Sequence, residues 1–168
     1  MSIKIGERLP DGKLTEFIEI EAEGCSLGPN TFAVSDLTKG KKIVLFAVPG
    51  AFTPTCSAKH LPGYLQHAAA FKASGIDEIW ALSVNDAFVM GAWGREQKVN
   101  GAIRLLADGN ADFVTALGLQ ADFSKFGMGI RSQRFSAYIE DGVVRQLNVE
   151  ENGKFIVSDA QTILGQLG

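Results

Sequence analysis

At 168 residues, with 46% hydrophobic and 21% charged side chains, the chain has the size and composition of one globular domain (1–168) that can bury a core without staples. Sixteen Lys+Arg against nineteen Asp+Glu gives −3, which offers no footprint for nucleic acid, and the longest apolar run, Ile43 to Val48, is far too short to span a bilayer. Two cysteines, Cys25 and Cys56, make neither a disulfide framework nor a cysteine-only zinc site. The N-terminal MSIKIGERLP lacks the apolar stretch of a secretory signal, so a cytoplasmic chain with reduced thiols is expected.

Thr15 to Ile20 alternates weakly and predicts a strand, and Glu23 to Asn30 is a turn-rich connector to a short strand near Thr31 to Val34. Ile43 to Val48 is apolar throughout, as in a central strand covered on both faces. Pro49-Gly50 ends it. Thr53 suits a helix N-cap and Pro54 the first helical position, followed by Leu61, Leu65, Ala68 and Phe71 at helical spacing. Pro62 should kink this helix, since it cannot donate to the Ala58 carbonyl. Glu78 to Val84 is the next strand. Asp86 caps a helix with Phe88, Val89, Ala92 and Trp93 on one face, Ile103 to Leu106 is a short strand, and Asn110 opens a brief helix. Phe135 to Ile139 and Val143 to Val149 flank Asp141-Gly142, a strong hairpin signal, and Ser158 with Gln161 reads as a capping box for a last helix. This order predicts an α/β protein with a central mixed sheet and flanking helices, parallel at first and antiparallel at its hairpin edge. The thioredoxin-like fold satisfies it, and fold alone does not decide function.

The informative segment is Pro49 to Cys56. With Thr53 as N-cap, Cys56 is the third helical residue, near unpaired backbone N–H groups and the positive end of the helix dipole. Both favour thiolate, the nucleophilic form. The site also follows the C-terminal end of a central strand, where open α/β sheets place ligands. On position alone, Cys56 reads equally well as a small buried apolar side chain.

The segment Val48-Pro49-Gly50-Ala51-Phe52-Thr53-Pro54-Thr55-Cys56-Ser57, with His60-Leu61-Pro62-Gly63, resembles the peroxiredoxin family, and specifically its type II, or peroxiredoxin-five, subgroup. Leu82 to Val89, Ala92-Trp93-Gly94, Leu106-Ala107-Asp108 and Arg131 through Phe135 continue the resemblance in the family's order. It implies that Cys56 is the peroxidatic cysteine and that the Thr53 hydroxyl bonds the bound peroxide. Pro49 would then shield the thiolate, and Arg131 would be the active-site arginine. Such an arginine supplies fixed donors and permanent charge to thiolate and peroxide together. Away from the motif, Arg131 would read as a surface ion-pair residue.

In two-cysteine members of the subgroup the resolving thiol lies before Ser-Val-Asn-Asp or near the C-terminus; this chain has Ala81 at the first place and Phe155-Ile156-Val157-Ser158 at the second. Cys25, in a Gly-rich turn, matches neither and reads as a bystander. The expectation is a one-cysteine thiol peroxidase acting on hydrogen peroxide and organic hydroperoxides, without metal, haem or flavin. An external thiol would regenerate it, glutathione with glutaredoxin first and thioredoxin second. The resemblance also implies a homodimer, with the Phe52 loop and the Trp93 helix near its contact, and a role in antioxidant defence and redox homeostasis. A non-enzymatic peroxide sensor or holdase switched by Cys56 is the alternative from another class. A thioredoxin-like disulfide reductase lacks its C-x-x-C. His60 lies one helical turn after Cys56, on the same face, where it tunes the site or only packs. His60 and His67 have no carboxylate or cysteine cluster beside them and are not read as metal ligands.

Overall fold

The computed structural model describes residues 1–19 and 26–167. Cys25 lies outside them. A seven-stranded sheet runs in the order β2-β1-β5-β4-β3-β8-β9. Its strands are β1 (Lys13–Ile18), β2 (Gly28–Ala33), β3 (Lys42–Val48), β4 (Glu78–Ser83), β5 (Arg104–Ala107), β8 (Phe135–Glu140) and β9 (Val143–Val149). The middle strands β3, β4 and β5 are parallel, and the edges are antiparallel on both sides, not only at the hairpin. Asp141 and Gly142 turn the hairpin with φ of 48° and 78°, as its two-residue turn requires.

Ile43 to Val48 is fully buried because the sheet is covered on both faces. Val44, Phe46 and Val48 face Leu61, Tyr64, Phe71, Met90, Trp93 and Ile163. These come from α2 (Leu61–Gln66), α3 (Ala68–Ala73), α4 (Ala87–Glu96) and α6 (Ala160–Gln166). Ile43, Leu45 and Ala47 face the opposite core, built with Val34 and Leu37 of α1 (Val34–Thr38) and Phe113 and Val114 of α5 (Asp112–Ala116). The strand's period of two thus builds two cores from one run. The α/β arrangement expected from the sequence is what forms. Among the described residues no helix is long and apolar enough to cross a membrane.

Several local expectations change. The cap of α5 is the buried Asp108 carboxylate, which accepts from the N–H groups of Phe113 (3.1 Å) and Val114 (2.9 Å); it is not Asn110. Asp108→Ala is expected to lower stability by about 1–3 kcal/mol in a denaturant titration, because two buried N–H groups lose their acceptor. On α4 the buried face is Ala87, Met90, Trp93 and Gly94, while Phe88 is exposed. Ser158 does not cap α6. Asp159 does, accepting from Thr162 N, and the Ser158 hydroxyl donates to Glu150. The sequence pattern also passes over α1 and the small hairpin of β6 (Gln120–Asp122) and β7 (Ile130–Ser132), which are too short to show a period.

Candidate active site

The helix after β3 begins at Pro54, so Cys56 is its third residue. The expected kink at Pro62 takes the form of a π-helical turn over Cys56–His60, in which Leu61 N donates to Cys56 O. Pro62 has no N–H, and its ring clashes with the carbonyl four residues back, so the backbone widens by one residue just ahead of it. A second break falls at His67, whose ring Nδ1 lies 2.9 Å from the Gly63 carbonyl that also accepts its N–H.

Thr53 is not a side-chain cap: its hydroxyl donates to Gly50 O at 2.7 Å. That leaves the oxygen lone pairs available as acceptors. Asn85 holds the same loop, its Oδ1 accepting from Ala51 N (3.0 Å) and Ser83 Oγ (2.6 Å). Phe52, exposed at the loop tip, has φ of 64°, a left-handed conformation that costs a bulky residue energy. Trp93 is fully buried, and its Nε1 donates to Ser57 Oγ at 3.0 Å, tying α4 to the residue after Cys56.

Cys56 is fully buried, and a guanidinium touches it. That guanidinium belongs to Arg134, whose Nη2 is 3.1 Å from Cys56 Sγ. Arg131, the arginine expected there, instead donates Nε to Met128 O (2.9 Å) and Nη1 to Pro49 O (3.4 Å). It packs so closely on Gly50 that a Cβ there would lie 3.0 Å from its Nη1. Strand geometry explains the exchange. β8 pairs with β3 so that Phe135 stands opposite Ala47, which puts Arg134 level with the end of β3 that leads into the Cys56 loop. Phe135, Ala137 and Ile139 face the core away from the Cys56 helix, so Arg134 shares the other face with Tyr138. Arg131 sits in β7, outside the main sheet. Counting back by two from Tyr138 through Ser136 of the predicted strand places Arg134 on their face.

Behind Arg134 lies a chain of buried polar groups that the sequence did not disclose. Arg134 Nη1 donates to His60 Nδ1 at 2.7 Å. Arginine only donates, so Nδ1 must be the bare nitrogen, and Nε2 carries the proton toward Ser158 O at 2.9 Å. Burial and then the Arg134 charge push the His60 pKa down to about 3, so the ring is neutral at physiological pH. Tyr64 OH donates to the same Ser158 carbonyl (2.8 Å). Burial holds the Tyr64 pKa above its usual range. The Phe155 ring stands 4.9 Å from the His60 ring and 5.7 Å from the Arg134 guanidinium carbon. A neutral acceptor orients Arg134 without cancelling its charge, which stays available to a thiolate and to an oxygen bound beside it.

The comparisons agree with this chemistry. A family model described as Redoxin matches residues 4–164. Peroxiredoxin-2B of Arabidopsis thaliana is 44% identical over 165 residues, covering 98% of each chain. The reduced Prx3 of Vibrio vulnificus, crystallised with hydrogen peroxide, is 49% identical with a TM-score of 0.90 over 99% of each chain, and shares this thioredoxin-like fold. A crystal structure from Burkholderia cenocepacia, described as a thioredoxin reductase, is 56% identical with a TM-score of 0.99 over 100% of this chain and 99% of its own. That description does not extend to this chain, whose two cysteines stand at 25 and 56 with no C-x-x-C dithiol. The chain belongs to the peroxiredoxins, the thiol-dependent peroxidases.

Proposed function

We propose that this peroxidase runs a one-cysteine cycle on Cys56 and is regenerated by an external thiol, glutathione with glutaredoxin ahead of thioredoxin. The observation that carries the site is the 3.1 Å contact between Cys56 Sγ and Arg134 Nη2 at the start of a helix. In the cycle, a hydroperoxide O–H donates to the Thr53 oxygen, and Arg134 donates to the peroxide. The Cys56 thiolate attacks the nearer oxygen, the O–O bond breaks, and the departing alkoxide or hydroxide leaves as alcohol or water after taking a proton. Charge moves from sulfur to the departing oxygen, and Arg134 can follow it without rearranging. Pro49, its carbonyl tied to Arg131, covers the thiolate.

Cys56 is left as a sulfenic acid. One glutathione displaces its hydroxyl as water to form a mixed disulfide, and a second thiol reduces that to glutathione disulfide and free Cys56. The absence of cysteine at the buried Ala81 and across Phe155 to Ser158 supports an external reductant. Because Cys56 is fully buried, residues around it must move before a thiol can reach it. The exposed Phe52, held out by a left-handed backbone, supports a homodimer contact at that loop. The Trp93 side chain is buried on Ser57, so a contact from its helix would fall to exposed residues such as Phe88.

The test is steady-state peroxidase kinetics with glutathione/glutaredoxin and with thioredoxin, alongside mass spectrometry of Cys56 and Cys25. Many turnovers with the glutathione couple, undiminished in Cys25→Ser, are expected. A single stoichiometric oxidation would instead mean a sensor, and a large loss in Cys25→Ser would mean that Cys25 resolves.

A further inference from the structure

Glu150 directly follows β9 beside the site and reaches it by two routes. Its backbone N–H donates to Arg134 O at 2.9 Å. Its side chain gathers the segment after it: Oε2 accepts from Ile156 N (2.8 Å), Val157 N (2.9 Å), Ser158 N (2.8 Å) and Ser158 Oγ (2.6 Å). A carboxylate oxygen with four donors is a strong local anchor. It fixes the Ser158 residue, whose carbonyl is the shared acceptor of His60 and Tyr64, while Phe155 in the same loop lies against His60 and Arg134.

We propose that Glu150 is a positioning residue for Cys56 chemistry, acting through the Ser158 carbonyl and His60 to aim the Arg134 guanidinium at the sulfur. This rests on the reading of Arg134 as the group that serves the thiolate. The coupling is contiguous, each link being a hydrogen bond of 3.1 Å or less from Glu150 to Ser158, His60, Arg134 and Cys56. The four donors also hold the Glu150 carboxyl below the ordinary carboxylate range, despite its burial, so the anchor stays charged at neutral pH.

The experiment is a double-mutant cycle read on two rates and on thermal unfolding. Glu150→Ala, Arg134→Ala and the double variant are compared with the parent for Cys56 alkylation by iodoacetamide and for Cys56 oxidation by hydrogen peroxide. Arg134→Ala alone reports on the Arg134 reading: unchanged rates would refute that reading whatever Glu150 does. Given a slow Arg134→Ala, Glu150→Ala is expected to slow both rates by about tenfold in the parent and by less than about twofold in the Arg134→Ala background. The loss in melting temperature should be the same in both. A purely structural Glu150 would lower the melting temperature and leave the rates within about twofold. Equal slowing in both backgrounds would likewise overturn the proposal, because the effect would not pass through Arg134. Should Glu150→Ala fail to fold, Glu150→Gln keeps an oxygen acceptor for the loop and is expected to slow the rates by about threefold, again only when Arg134 is present. Slowing by Glu150→Gln that persists without Arg134, or no slowing at all, would count against it.

Discussion

Arg134→Ala is expected to slow oxidation of Cys56 by hydrogen peroxide by roughly 100- to 1,000-fold, whereas Arg131→Ala should cost no more than about tenfold. Arg134 Nη2 lies against Cys56 Sγ, so its removal takes away a preorganised cationic donor from the place where charge shifts between sulfur and oxygen. Among the described residues, Arg131 donates to two carbonyls, those of Met128 and Pro49, the second at 3.4 Å. Its loss loosens the loop around Pro49, and a neutral hydrogen bond of this kind contributes only about 1 kcal/mol net. Rapid-mixing measurement of the oxidation step, before any reductant is added, reads both variants without interference from regeneration. Equal losses in the two variants, or a larger loss in Arg131→Ala, would return the active-site role to Arg131. Cys56→Ser is the reference for zero turnover.

Acid should destabilise the protein from about pH 6.5 downward, earlier than its carboxylates alone would dictate, and His60 should be the cause. Its pKa falls from 6.5 to about 3 on folding. Between those values the unfolded chain binds a proton that the native ring refuses, so the unfolded state gains as pH falls. The contribution of the neutral ring is complete above about pH 6.5 and is lost progressively toward pH 3, amounting to about 2–3 kcal/mol by pH 4.5. For a chain of this size that lowers the melting temperature by about 5–10 °C. The Glu150 carboxyl, held below its usual range by Ser158, Val157 and Ile156, pulls in the same direction but only below its ordinary value of 4.5. Between about pH 4.5 and 6.5 His60 is therefore the group whose titration favours the unfolded chain, while Asp108, whose carboxyl burial raises above the usual range, acts in the opposite direction. In His60→Leu the melting temperature should fall at neutral pH, because Arg134 and Ser158 lose a partner, yet change much less with pH across that interval. The same slope in parent and variant would show that the titrating group lies elsewhere.

The local signals that survived into the structure are those whose physics is contained in a few neighbouring residues. The run Ile43 to Val48 had to be buried on both faces, Asp141-Gly142 had to turn, Asp86 had to cap, and Pro62 had to disturb its helix. The position of Cys56 as the third residue of a helix behind a central strand was legible for the same reason. The Thr53 and Ser158 caps were misread because a hydroxyl near a helix start has competing acceptors. Thr53 found Gly50 O and Ser158 found Glu150, neither of which helix spacing can reveal.

What the sequence by itself determined is the α/β order and the P-x-x-x-T-x-x-C frame around one reactive cysteine, with no second cysteine where a resolving thiol would be expected. Which arginine meets that cysteine was decided only by the tertiary structure. Arg131 and Arg134 are three residues apart and chemically identical, so side-chain chemistry does not separate them, and strand alternation gives only the face on which Arg134 lies. The register of β8 on β3 separates them, because it brings residue 134, and not 131, to the strand end that leads into the Cys56 helix. The pairing of β8 with β9, which puts Val149 opposite Phe135, sets Glu150 beside Arg134, and the fold of the following loop then brings Ser158 to His60 across 98 residues of chain. Contacts between side chains so far apart in sequence leave no periodic trace, and only the packed sheet can bring them together.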